Sequence, residues 1–231
     1  MFLRLVLLLL PVLGLELPSY IKPCPRNDPN LDECIFKNGQ EAVPFIIKGD
    51  PEYGLFVMDP WHPKDLRIKE LGLSLVGFNM SIVGYKGGHL DSVKTDPSKN
   101  KVTIKYRVPE ILFTGKYDMN GRLVAIPVRG NGDFVVNMYD TVIKYTTEFK
   151  VVRKGDGEEY AVPQSYEFLY APGDMKMNLT NLFGGNKLIG DVMNKFMNDN
   201  WRAVMEEAGK PSSRAVGQEV HQLTSIIVQQ L

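Results

Sequence analysis

Cysteine and histidine are scarce in this chain of 231 residues, with two of the first and three of the second. So few ligating side chains leave little material for a structural zinc site or a larger metal cluster, and no cofactor is expected. An excess of either charge is also lacking, because 27 Lys and Arg residues balance 27 Asp and Glu. A neutral chain offers no electrostatic footprint for nucleic acid or for an anionic membrane. The motifs G-x-S-x-G, H-E-x-x-H and the P-loop are missing. None of His62, His89 and His221 has a Ser or Cys partner at motif spacing, so each is expected at the surface and no enzyme is expected. What is present, 44% hydrophobic and 23% charged residues, is the balance of a globular protein.

Long apolar runs are lacking except at the start. Arg4, the run Leu5 to Leu10 with Val12 and Leu13, and small or apolar Val12 and Gly14 before Leu15 have the three parts of a signal peptide. The run Phe2 to Leu15 is too short to span a bilayer, and Pro11 interrupts it. Residues 1–14 are therefore expected to be a signal peptide and residues 15–231 a single, soluble, secreted domain without integral membrane association. An even cysteine count in an oxidising compartment favours a Cys24–Cys34 disulfide, whose short loop contributes roughly 2–3 kcal/mol in the chain-entropy model. Two sequons, Asn79-Met80-Ser81 and Asn178-Leu179-Thr180, become expected glycosylation sites with both asparagines facing solvent.

The pattern changes three times along the chain. Pro18, Pro23, Pro25 and Pro29 exclude a helix at the start. Leu31 to Ile47 then carries apolar residues at helical spacing, with Asn30 or Asp32 as cap and Gly49-Asp50-Pro51 as the end. From Leu66 to about Phe183 the period becomes two, as in Val102, Ile104, Tyr106 and Val108. Turn signals divide this stretch at Gly87-Gly88, Asp96-Pro97, Asn120-Gly121, Gly130-Asn131-Gly132, Gly155-Asp156-Gly157 and Pro172-Gly173. The sum predicts six or seven antiparallel strands in a sheet that curls. Leu188 to Ala208 returns to helical spacing; Gly209-Lys210-Pro211 should break or kink this helix before Val216 to Leu231 continue it. The fold class is thus α+β, with a highly curved antiparallel sheet wrapped around a long C-terminal helix. A sheet this wide, wrapped on one helix, is expected to leave an apolar tunnel.

Three segments carry a resemblance: Pro18-Ser19-Tyr20-Ile21-Lys22-Pro23-Cys24 with Cys34; Gly49-Asp50-Pro51-Glu52-Tyr53-Gly54-Leu55 through Asp59-Pro60; and Asn198-Asp199-Asn200-Trp201-Arg202. Together with the order of elements, they resemble the insect takeout and juvenile hormone-binding protein family over nearly the whole mature chain. The resemblance implies a TULIP-like fold and a secreted carrier of small hydrophobic ligands, found in haemolymph or another extracellular fluid. It further implies a role in circadian or feeding-related signalling. The single cysteine pair matches takeout-like members, whereas the hormone carriers proper have a second pair.

A carrier needs adaptable apolar side chains and one or two polar groups that orient its guest. Ten methionines and eleven phenylalanines supply the former. An outward Asn79 sends Phe78 and Met80 inward, and alternation groups Ile104 with Tyr106 and Val136 with Met138. The helical stripe adds Met193, Met197 and Trp201, and the first helix adds Phe45. Tyr106, Tyr139 and Tyr145 are candidate polar handles, although a buried phenol equally finds a backbone partner. The first helix, tethered by the disulfide, is expected to gate one end, so that reducing Cys24–Cys34 would speed release. The expected partner is a terpenoid or fatty acid bound by a monomer. The alternatives are a protein-binding signalling factor with a merely structural channel, and a secreted lipid hydrolase.

Overall fold

The β-branched and aromatic residues that alternate after Leu66 form a single seven-stranded antiparallel sheet in a computed structural model that describes residues 17–70, 72–153 and 159–228. The strands are β1 (Leu66–Glu70), β2 (Leu73–Val83), β3 (His89–Asp96), β4 (Lys101–Leu123), β5 (Ile126–Arg153), β6 (Glu159–Ala171) and β7 (Asp174–Leu179). Two long strands, β4 and β5, pair from Lys101↔Glu148 to Leu123↔Ile126 and carry the shorter ones end to end. On β4, β3 occupies the first half and β2 the second. On β5, β7 occupies the first half and β6 the second.

Both long strands are irregular at the same level. Pro109 and Asp140 have no partner in the β4–β5 register, and Asp140 has φ 45°. Proline cannot donate to a ladder, so the irregularity falls where the ladder is already broken. It reverses which side chains face inward. On β5 the buried residues nearest it are Tyr145, Ile143 and Thr141 at alternate positions on one side and Met138 on the other. A second bulge on β2, between Phe78 and Ser81, places Asn79 at φ 49°.

Two expected turns are strands instead. Asn120-Gly121 lies within β4, and the β4–β5 hairpin turns at Val124 and Ala125, with φ 50° and 64°. Gly121 serves a close approach: at φ 131°, a Cβ there would lie 2.1 Å from the carbonyl oxygen of Gly72. Gly130-Asn131-Gly132 lies within β5 for a related reason, because a Cβ on Gly132 would meet the Thr180 carbonyl oxygen at 2.6 Å. Gly87-Gly88 and Pro172-Gly173 do fall between strands, and Asp96-Pro97 ends β3. The Gly155-Asp156-Gly157 turn, the signal peptide and Leu231 lie outside the described residues.

Helix α1 (Leu31–Lys48) ends at Gly49, φ 78°. Asn30 is its N-cap residue but makes no side-chain cap bond. Asp32 does not cap it either; its Oδ1 accepts from the N–H and hydroxyl of Thr95, both on β3. Gln40 similarly accepts from Leu90 N–H at 2.8 Å. Polar residues of α1 thereby occupy the free edge of β3. The Cys24–Cys34 disulfide pins the preceding segment to α1, and Tyr20 stacks on Phe45 with centroids 5.0 Å apart.

The C-terminal helices are α2 (Lys187–Asp199), α3 (Trp201–Val204) and α4 (Lys210–Val228), with one π-helical turn, Met205–Gly209, between the last two. At Gly209-Lys210-Pro211, where a break or kink is expected, the helix continues through the π-helical turn that ends at Gly209. The helical path departs from helical dihedrals at Asn200 instead, φ −115°, ψ 28°. The widened turn takes up Pro211, which lacks an N–H and whose ring crowds the carbonyl four residues back. Helix α4 touches both outer strands of the curled path: Arg214 Nη2 donates to both carboxylate oxygens of Glu70 on β1, and Gly217 packs on Phe168 of β6. It closes the open side of a half-barrel.

Candidate ligand-binding site

The half-barrel is unequally filled. Towards β3, β6 and α1, the large side chains Trp61, Tyr85, Tyr145 and Phe168 are 2–6% exposed and close the interior. The other half encloses a cavity of about 370 Å³, within the roughly 300–1,000 Å³ of small-molecule sites. Its walls come from β2, the second half of β4, the first half of β5, β7 and the helices from Met197 to Gln222.

Alternation builds this wall strand by strand. Strand β2 contributes Leu73, Leu75 and Gly77 before its bulge and Met80 within it; β4 contributes Phe113, Tyr117, Met119 and Leu123. Strand β5 contributes Phe134, Val136 and Met138, and β7 contributes Met175, Met177 and Leu179. Seven of the ten methionines line the cavity: Met80, Met119, Met138, Met175, Met177, Met197 and Met205. Unbranched thioethers adapt to guests of different shape. Solvent-accessible polar residues (Lys64, Asp65, Gln218 and Gln222) gather where the segment Pro63–Leu66 faces α4, and mark the opening. One hydrogen bond, Lys64 N–H to Glu219 Oε1 at 2.9 Å, ties the two sides of that opening.

Within the wall, the tyrosine hydroxyls are partnered. The Tyr117 hydroxyl donates to the Thr180 carbonyl at 2.7 Å, and burial pushes its pKa up to about 12. The Tyr170 hydroxyl meets that of Tyr85, and burial raises the pKa of both.

Of the residues expected from sequence, Met80, Val136, Met138 and Met197 stand in this wall and the others do not. Phe78 precedes the β2 bulge and so faces away from the side on which Leu75 and Gly77 line the cavity. Tyr139 is 37% exposed because the irregularity at Asp140 reverses the alternation. Ile104 and Tyr106 belong to the filled half, where the Tyr106 hydroxyl donates to the Tyr85 carbonyl at 2.7 Å. Met193 and Trp201 are buried in the core, and Phe45 is 49% exposed against Tyr20. Helix α1 supplies no residue to the wall, which removes the geometric basis for a disulfide-tethered gate. Of the histidines, His62 and His89 are exposed, but His221 is half-buried, stacked on Tyr166 and bonded to the Tyr145 hydroxyl at 2.7 Å. Asn79 and Asn178 are both exposed.

The half-barrel fold has a known counterpart. The model of the haemolymph juvenile hormone binding protein family matches residues 3–231. The chain belongs to that family. Among curated relatives of this family member, the circadian clock-controlled protein daywake of Drosophila yakuba is 23% identical over 202 residues, covering 81% of this chain and 75% of that protein. Daywake of Drosophila melanogaster is 24% identical over 199 residues, covering 80% and 74%. The crystal structure of Takeout 1 from Epiphyas postvittana superposes with a TM-score of 0.80 at 26% identity, over 87% of this chain and 93% of that one.

The wall also contains residues that sequence reasoning passed over, chiefly Phe113, Tyr117 and Met119. Their signal was present: Ile111, Phe113, Gly115, Tyr117 and Met119 alternate strictly. Reading Asn120-Gly121 as a hairpin turn drew attention away from the strand that contains it. The asparagine segment before Trp201 has a structural task here, since Asn194 and Asn198 bond the backbone of Leu179 and Met177 on β7.

Proposed function

We propose that this chain is a secreted, non-enzymatic carrier that holds one small hydrophobic molecule, a terpenoid or fatty acid, in the methionine-lined cavity. The observation that carries this reading is the cavity itself, about 370 Å³ of space walled by seven methionines and opening beside α4. Family membership supports it, through a description that names a haemolymph hormone-binding protein. The Cys24–Cys34 disulfide and the apolar N-terminal run support secretion after removal of residues 1–14. The name of the daywake relatives supports a circadian setting.

The driving force is desolvation. Burying about 300 Å² of apolar surface at roughly 25 cal/mol per Å² gives about 7 kcal/mol before ordering costs, which sets micromolar binding as the tight limit of this term alone. The carrier is proposed to act as a monomer.

Native mass spectrometry of the protein purified from its source tests the reading. The expected spectrum shows a one-to-one complex with a small lipophilic molecule. Ligand-free protein that also fails to bind a fluorescent fatty acid would favour a protein-binding signalling factor instead.

A further inference from the structure

Helix α4 is seated on its two neighbours by different means. On the β6 side the seam is close: Gly217 brings the helix backbone against Phe168, His221 stacks on Tyr166, and the Tyr166 hydroxyl donates to the Arg214 carbonyl at 3.3 Å. On the β1 side long side chains span the gap, Arg214 to Glu70 and Glu219 to the Lys64 N–H. The Arg214 and Glu70 side chains are 64% and 48% exposed, and an ion pair so exposed holds weakly. The cavity opens on this weaker side, where residues 63–66, Gln218, Glu219 and Gln222 border it.

The stretch of chain beside the opening is fastened at both ends. Trp61 exchanges two backbone bonds of 2.8 Å with Ile82, the His62 ring meets the Met80 carbonyl at 3.0 Å, and Leu66 pairs with Gly77. Residues 63–65, between these anchors, belong to no strand or helix. Pro63 has no N–H, so Lys64 is the first residue of the span able to donate from its backbone, and it donates to Glu219 Oε1 at 2.9 Å. Fixed ends and an irregular middle make a strap, and the bond at its middle is a latch.

We propose that residues 63–65 form a strap latched to α4 by Glu219, and that release of this latch opens the passage by which a guest enters and leaves the cavity. This rests on the carrier reading and adds the control of its rates. The close seam on β6 assigns the movement to the strap rather than to α4. Because the latch bonds protein to protein, it holds the empty and the filled cavity shut alike. It therefore sets both rates and leaves their ratio, the affinity, unchanged.

Stopped-flow mixing of the full chain with a fluorescent apolar dye tests this. In Glu219→Ala, association and dissociation should both quicken by about 2- to 12-fold, the range of one net hydrogen bond, with Kd unchanged. Glu219→Gln, whose amide oxygen accepts the same N–H, should stay near wild-type rates. Lys64→Pro removes the donor from the strap side, should match Glu219→Ala, and guards against an effect confined to the helix. The proposal is overturned by wild-type rates in Glu219→Ala or in Lys64→Pro, by faster dissociation with a matching loss of affinity, or by a Glu219→Gln variant as fast as Glu219→Ala. In each of these cases the dye still binds and the carrier reading stands. Wild-type protein that binds no dye overturns both.

Discussion

Asn198 and Met177 are joined by two hydrogen bonds that run in opposite directions. The Met177 N–H donates to Asn198 Oδ1 at 2.8 Å, and Asn198 Nδ2 donates to the Met177 carbonyl at 2.8 Å. One helical turn earlier, Asn194 treats Leu179 in the same way, with both distances 2.9 Å. Two amides at i and i+4 on α2 thus act as a neighbouring strand would for alternate residues of β7, whose other edge pairs with β5. An open edge is a template for aggregation, and these side chains occupy it. They also fix β7, from which Met175, Met177 and Leu179 face the cavity.

Replacing Asn198 by Ala strands two partly buried backbone groups. A loss of about 2 kcal/mol is expected, from the cost of unsatisfied donors and acceptors. In a chain of this size, that lowers Tm by about 4–8 °C. Differential scanning calorimetry checks it, and a shift within error would show that water replaces the amide without cost.

Gly217→Ala should destabilise, although alanine is the better helix former by about 1 kcal/mol. A Cβ on Gly217 would lie 2.4 Å from Phe168 Cβ and 3.0 Å from its Cγ. Helix α4 must then move off β6, at a cost of about 1–3 kcal/mol for overpacking. The midpoint of denaturant unfolding measures the sign.

Ala208→Phe fills part of the cavity from the helix side, where Ala208 borders it beside Met205. Dye affinity should fall at least about 10-fold, because the added ring takes the space of the guest. Circular dichroism should remain that of the wild type. Unchanged affinity would place the bound dye elsewhere.

Acid should weaken the fold through His221. Burial lowers its pKa from the ordinary value, so the folded state favours the neutral ring while the unfolded chain takes up a proton more readily. The titratable groups facing it are the phenols of Tyr145 and Tyr166, and that of Tyr145 is raised by burial. The contribution of His221 is therefore complete above about pH 6.5 and is lost as pH falls below it. Unfolding midpoints at about pH 7.5 and about pH 5 should differ more in the wild type than in His221→Phe, which keeps the stack on Tyr166. Equal differences would assign the acid sensitivity to other groups.

Reducing Cys24–Cys34 should lower stability without changing how fast a bound dye leaves. The disulfide ties residues 17–30 to α1, and α1 is absent from the cavity wall. Stopped-flow displacement under reducing and oxidising conditions makes the comparison, and a faster off-rate on reduction would restore a gating role to α1.

Composition and periodicity determined much of this protein unaided. The two-residue period after Leu66 and the helical stripe after Leu188 led to an antiparallel sheet with a C-terminal helix, because burial of one face sets each period. The even cysteine count led to the bridge that forms. Which side chains meet in the cavity was decided only in three dimensions. Unpaired Pro109 and Asp140, and Asn79 within the β2 bulge, reverse the alternation, so that Tyr139 and Phe78 face outward while Met138 and Met80 face in. Glycines that read as turns, Gly121 and Gly132, lie within strands because other backbone passes within contact distance of them. A bulge adds one residue and leaves little trace in composition, yet it inverts every assignment beyond it; the pairing of distant strands fixes where it falls.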